Sequence, residues 1–333
     1  MQTIGNVWLW GGFAVVVVVA LLADLVLMRH GGAHKVTFKE ALYWSLGWIG
    51  LALLFNVGLW WYVNETAGAE MASKIGLEFL TGYLVEKSLA VDNIFVFLMV
   101  MSYFAVPEEQ RQRVLVIGVL GAIVLRGVLI FAGAALLAKF HWLLYLFGAF
   151  LLLTGIKMWF AAGKEPDLEA NPALRWMRGH LRLTPNYHGD ALSVMQDGVR
   201  WYTPLFVVLV LIAITDVIFA VDSIPAIFAI TSDPFIVLTS NVFAVLGLRA
   251  MFFLLAGMAD RFHLLPYGLA VVLVFIGTKM LIIDVYKIPV GWSLGMTMAV
   301  LVGSIVLSLK IPPKGAQRGA YPFQPKRRKE QGL

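Results

Sequence analysis

Glu86 and Asp92 stand six residues apart in the stretch EKSLAVDNIF, and Asp216 and Asp222 repeat that spacing in DVIFAVDSIPAIF. Both pairs lie in apolar runs long enough to cross a bilayer. An ionised side chain at mid-depth costs about 2.5–3.5 kcal/mol on insertion scales, so such residues are functional candidates by default. Two buried like charges repel, and either a bound divalent cation or a proton resolves the repulsion. Asn93 and Ser223 directly follow the second acid of each pair and add neutral oxygens, while Pro225 loosens the helix beyond Asp222 and frees backbone carbonyls. The chain has no Cys, and its 6 His fall in predicted loops or span ends. The candidate metal ligands are therefore all oxygen donors: Glu86, Asp92, Asn93, Asp216, Asp222 and Ser223. That set favours Mg2+, Ca2+ or Mn2+ over Cu+ or structural Zn2+. Lys87, Arg126, Arg249, Lys157 and Lys279 are candidate counter-charges or gating groups. The bland alternative is that they form buried ion pairs with the acids that only fix helix packing. Asp24 is a weaker candidate that can reach the interface, and Met99, Met101, Met158 and Met280 read as packing residues.

Six residues of helix correspond to about 9 Å of rise and about 240° of rotation, so one helix cannot close a site with both of its acids. Two antiparallel helices can. Counting depth along them pairs Asp92 with Asp216 at one level and Glu86 with Asp222 at another.

The elements that carry these residues must be membrane helices. Of 333 residues, 60% are hydrophobic and 14% charged, with a mean hydropathy of +0.82. Soluble domains hold about 45–50% apolar and about 25% charged residues. Without Cys, disulfides and thiolate metal sites are excluded. Nine candidate spans fall near 7–28, 41–63, 79–104, 114–138, 142–161, 202–230, 235–258, 264–284 and 290–310. The first reads as a retained span and not a cleaved signal, because residues 1–6 carry no Lys or Arg and the apolar run exceeds a signal core. Loop charges orient the chain. Arg29, Lys35, Lys39, Arg111, Arg113, Lys164, Arg175, Arg178, Arg182, Arg200, Arg261, Lys310 and the basic tail at 311–333 fall on one side. Lys74, Lys139 and Lys287 fall on the other. The expectation is an N-terminus outside and a C-terminus in the cytoplasm.

The chain also repeats itself. Besides the acidic motifs, LGAIVLR ending at Arg126 matches LGLR ending at Arg249, and GIKM with Lys157 matches GTKM with Lys279. These landmarks recur in order at offsets of 130, 123 and 122 residues. The units are about 79–161 and 202–284. Each has three crossings, so consecutive copies enter from opposite faces: an all-α, polytopic protein with two inverted three-helix repeats, an arrangement common in secondary transporters.

The segment 162–201 is the one sizeable extramembrane stretch, too short for a soluble enzyme domain. Pro172 can start a helix with Arg175, Arg178 and Arg182 on one face, read as an amphipathic helix at the cytoplasmic leaflet. The net charge of +6 lies mainly in loops and tail, so the bilayer and not nucleic acid is the expected partner. A redox enzyme is the weakest class, with no Cys, no nucleotide-binding fingerprint and no facing His pair.

EKSLAVDN, DVIFAVDSIPAIF, LGLRAMFF and GTKMLI, with the opening WLWGGFAVVVVVALLADL and the LLFNVGLWWY of the second span, closely resemble the TerC family of bacterial membrane proteins, in particular its Alx branch. The resemblance implies an inner-membrane protein, not an enzyme, that exports Mn2+ as a transported substrate. It carries the metal role to Glu86, Asp92, Asp216 and Asp222, with Asn93 and Ser223 beside them. The family motif usually has a Glu three positions before the first Asp of the second copy, where this chain has Ala213. Two questions stay open at the level of sequence: whether H+ exchanges for the metal, and whether the protein transports at all or serves as a metal-homeostasis partner.

Overall fold

A computed structural model of the chain describes residues 3–30, 37–140, 142–161, 168, 171–256 and 263–311, without the side chains at 25–30, 92, 95, 108 and 222. The basic tail beyond 311 and the loop residues Lys35, Lys164 and Arg261 lie outside the described residues. In lipid every backbone polar group must be satisfied within its own segment, and this chain answers with helices. They are α1 (Val7–His30), α2 (Phe38–Ala67), α3 (Ala69–Tyr103), α4 (Glu108–Lys139), α5 (Leu143–Ala161), α6 (Pro172–His180), α7 (Pro204–Phe228), α8 (Pro234–Leu246), α9 (Leu248–Ala256), α10 (Leu265–Leu281) and α11 (Val290–Lys310).

Six of them, α1, α2, α4, α5, α7 and α11, are long and apolar enough to cross a membrane, and α8 with α9 makes a seventh if the bent pair is one span. The chain is therefore a multi-pass, helical membrane protein. α3 falls outside that criterion because of its charges and α10 because of its 17 residues. At 35 residues α3 is about 52 Å long, well beyond a hydrocarbon core of roughly 30 Å.

Local sequence sets the helix ends. Thr37 and Glu40 form a capping box at the start of α2. Gly68, at φ +87°, turns the chain between α2 and α3 in a single residue. Asp233 caps α8 by accepting from Phe235 N at 2.9 Å, and it also accepts from Thr3 Oγ1 at 2.7 Å and Ile4 N at 2.8 Å. Pro234 occupies the first turn of α8. α8 and α9 meet at Gly247 with a bend of 41°. A Cβ there would stand 2.6 Å from Lys87 Nζ and 3.1 Å from Trp48 Cβ, so a larger residue would have to move the end of the lysine and crowd the tryptophan.

α3 and α8 form the centre. Every residue of α8 from Phe235 to Leu246 is buried. α3 packs on α2, α7 and α8, α4 packs on α7 and α8, and the most extensive contact joins α5 to α10. At that contact Gly277 approaches the Leu152 N and Gly148 O atoms so closely that a Cβ would meet them at 2.6 and 2.7 Å. The buried apolar side chains form two clusters. One gathers Phe13, Phe79, Tyr83, Ile130, Ala220 and most of α8. The other gathers Val91, Ile94, Val119, Ala122, Leu211, Ile212 and the α10 face. Met101 and Met280 are buried in the second cluster with Met99 and Met158 packed on it, as the packing reading expects.

The 162–201 segment is more structured than expected. α6 forms where Pro172 predicts it, with Asn171 as its cap, but it ends at His180, so Arg182 lies beyond it. Its apolar side, Leu174 and Met177, is buried in the protein core, while Trp176 is exposed and stacks on His180. A two-stranded antiparallel hairpin, β1 (Ser193–Gln196) and β2 (Val199–Tyr202), follows. Its two-residue turn is Asp197-Gly198, both at positive φ, the Asp-Gly signature of a tight hairpin. The segment is tied to the α3–α4 corner by Tyr187 Oη to Phe104 O at 2.9 Å, Gln110 Nε2 to Gly189 O at 2.7 Å, and the Arg113–Asp190 ion pair at 2.6 Å. Burial pushes the Tyr187 phenol up to about 12, so it remains a donor at neutral pH.

Candidate functional site

Seven residues of helix return within about 20° of the starting direction. Glu86 and Asn93 therefore share one stripe of α3, and Asp216 and Ser223 share one stripe of α7. All four are buried. Asp92 and Asp222 also lie on α3 and α7, but their side chains fall outside the described residues.

The two stripes meet at Arg126 of α4, which is fully buried. Its Nη1 pairs with Glu86 Oε1, and its Nη2 reaches Asp216 Oδ1 at 3.1 Å. Nη1 also donates to Asn241 Oδ1 of α8 at 3.4 Å. The Asn93 amide, oriented by its hydrogen bonds, accepts from Arg126 Nη2 at 3.2 Å and donates to the Leu89 carbonyl at 3.2 Å. A planar guanidinium with five donors is the side chain suited to bridging two carboxylates. Glu86 and Asp216 are thus joined through one cation. Pairing by depth sets Glu86 against Asp222 and Asp92 against Asp216, and two of those four side chains lie outside the described residues. The link seen among the described ones runs from Glu86 through Arg126 to Asp216.

Acceptors and donors are both left over here. Glu86 Oε2, Asp216 Oδ2 and Ser223 Oγ are buried without a hydrogen-bond partner among the described residues, as are Arg126 Nε and Asn241 Nδ2. Along α3, α4 and α7 one apolar cluster lies on one side of this polar layer and the second cluster lies largely on the other. The layer is consequently sealed both ways. Among the described residues no three Asp, Glu or His side chains converge as a metal cluster. Glu86 and Asp216 are the carboxylates brought together.

Of the proposed counter-charges, Arg126 alone meets the motif acids among the described residues. Arg249 pairs instead with Asp24 of α1 at 2.5 Å, which gives Asp24 a partner in the protein in place of the interface. Lys87 donates to the Ala244 carbonyl at 3.1 Å, where the bend at Gly247 leaves the last carbonyls of α8 short of intrahelical partners. Its stem lies beside Tyr83, with Nζ 5.9 Å from the ring centroid. The ammonium thus caps a helix end, a position the helix dipole favours. Lys157 is exposed on α5 and pairs with no acid among the described residues. Lys279 is buried within electrostatic range of Glu78 on α3, away from the motif. Ala213 lies on the exposed side of α7, one turn before the buried Asp216.

Asn241 is the residue that sequence reasoning missed. It closes the run Thr239-Ser240-Asn241 inside an otherwise apolar helix, and that polar triplet was its signal. Thr239 and Ser240 turn their hydroxyls back to carbonyls of α8, leaving Asn241 as the one that reaches across to Arg126.

No solved structure matches the chain. Proteins named "Putative membrane-bound redox modulator Alx" from Salmonella typhi and Escherichia coli (strain K12) are each 57% identical over 308 residues, covering 92% of this chain and 96% of theirs. "Uncharacterized membrane protein STKORF319" of Myxococcus xanthus is 48% identical over 307 residues, covering 92% and 93%. The model of the integral membrane protein TerC family matches residues 71–315. With sealed carboxylates on matching helices and relatives this similar over nearly their whole length, the chain belongs to the TerC family, in its Alx branch.

Proposed function

We propose that the chain is a secondary transporter that carries Mn2+ across the bacterial inner membrane by alternating access of two inverted repeats. The observation that carries this reading is the sealed polar layer, in which Glu86 of the first sequence copy and Asp216 of the second are held by one buried arginine. A path for a cation needs acids that neither side of the membrane reaches at once. The helix packing supports the repeat reading: exchanging α3–α4–α5 with α7–α8/α9–α10 turns the α3–α8 contact into α7–α4 and returns α3–α7, α4–α8 and α5–α10 to themselves. Counting α3, α10 and the bent α8–α9 pair as spans gives nine crossings. Loop charges then put the N-terminus in the periplasm and α6 with the hairpin in the cytoplasm. Mn2+ as cargo and the outward direction come from the family resemblance.

The test is Mn2+ flux into proteoliposomes by wild type, Glu86→Gln and Asp216→Asn. Flux in wild type that falls at least tenfold in both variants supports transport. Equal flux in all three, or none in wild type, removes it. Arg126 already neutralises part of the site and Ala213 withholds a carboxylate, and these favour a second reading: a membrane partner that binds metal without moving it. Mn2+ binding to wild type without flux selects that reading.

A further inference from the structure

We propose that Arg126 is a tethered resident cation that competes with the divalent cargo for Glu86 and Asp216. Cargo entry displaces the guanidinium, and its return expels the cargo. The inference rests on the transport reading above and names how that site is regulated. Its basis is the set of oxygens that the guanidinium leaves over. Each carboxylate gives one oxygen to Arg126 and keeps the other, Glu86 Oε2 and Asp216 Oδ2, buried and unpartnered among the described residues. The Ser223 hydroxyl on the Asp216 stripe is likewise buried and, among the described residues, unpartnered. These three oxygens suit a hard cation.

Such a cation would stand within a few ångströms of the guanidinium, with little water to screen the repulsion. The two positive groups therefore exclude each other. Displacement has a destination. The Asn241 and Asn93 amide oxygens already lie 3.4 and 3.2 Å from the two Nη atoms, and they are neutral acceptors that hold a guanidinium after its carboxylates are taken. A competitor occupying a site lowers apparent affinity by the fraction of time the site is free.

The experiment measures Mn2+ binding to purified full-length protein by calorimetry, with flux in proteoliposomes, for wild type, Arg126→Gln, Arg126→Lys and Arg249→Gln. Removing the competitor should raise Mn2+ affinity about tenfold or more in the Gln variant and less in the Lys variant, while flux falls in both because release loses its driver. Arg249→Gln, which touches neither carboxylate, should stay within about twofold of wild type. Recovery of a folded Gln variant only when Mn2+ is present counts as the same result, since the metal then takes the place of the lost charge. If the Gln variant does not fold with or without metal, the Lys variant decides. Affinity equal to or below wild type in the folded variants overturns the proposal, and Mn2+ flux by wild type leaves transport standing. If wild type carries no cation, transport falls, while tighter binding by the variants still upholds displacement and equal binding still overturns it.

Discussion

Arg126 and Arg249 occupy matching positions in the two sequence copies, 123 residues apart at the ends of LGAIVLR and LGLR, and they do opposite things. Arg126 is enclosed by acids and amides from α3, α7 and α8. Arg249 has a side chain 17% exposed and is held by Asp24 of α1, a helix outside the repeat, whose own side chain is 15% exposed. The two copies supply equivalent cations, and what separates a central cation from a peripheral strut is which extra helix packs nearby. α1 brings an acid to Arg249, whereas Arg126 finds its acids among the repeat helices themselves. Duplicated sequence sets where a charge falls along the chain. The neighbours decide what it is for.

That comparison can be tested by removing each cation in turn. Arg126→Ala should have the largest effect, because it strands two buried carboxylates, and breaking a buried pair typically costs roughly 3–5 kcal/mol. Melting in detergent should show it, with partial recovery when Asp216→Asn is added. If the double variant is no more stable than the single one, the carboxylates are not what Arg126 neutralises. Arg249→Gln or Asp24→Asn should cost less, about 1–2 kcal/mol for a partly buried charged hydrogen bond. A double-mutant cycle across this pair should return a coupling of about 1 kcal/mol. Losses as large as those for Arg126 would erase the distinction between centre and strut. The smallest effect belongs to Arg113→Ala, which breaks an ion pair with Asp190 whose side chains are 45% and 66% exposed. Exposed pairs are worth about 0–1 kcal/mol, and 1 M salt should weaken this one further. A loss above about 2 kcal/mol would mean that the 171–203 segment is held at the α3–α4 corner by that pair.

Much of the architecture was legible because a bilayer permits so few solutions. Hydropathy located the helices, and the repeated motif singled out Glu86, Arg126 and Asp216. What remained hidden was relational. A helical wheel shows that Glu86 and Asn93 share a stripe, but not that α4 inserts an arginine between two stripes on α3 and α7. Lys87 looked like a counter-charge because the bend at Gly247, whose exposed carbonyls it caps, left no apolar break in the sequence. Lys157 sits in a G-x-K-M motif like Lys279 yet is exposed where Lys279 is buried, since repeat-related helices do not share surroundings. The Asp197-Gly198 hairpin was readable from its turn residues and was passed over in a chain dominated by helices.

The enclosure of α8 has a consequence for how its sequence can vary. On a lipid-facing helix an added methylene projects into mobile acyl chains and meets little resistance. Twelve successive residues of α8, Phe235 to Leu246, have no such outlet. Enlarging a side chain there must push on a neighbouring helix, at a typical cost of about 1–3 kcal/mol. Substitution tolerance along this segment should then follow the rules of a soluble core, inside a protein whose outer helices answer to lipid.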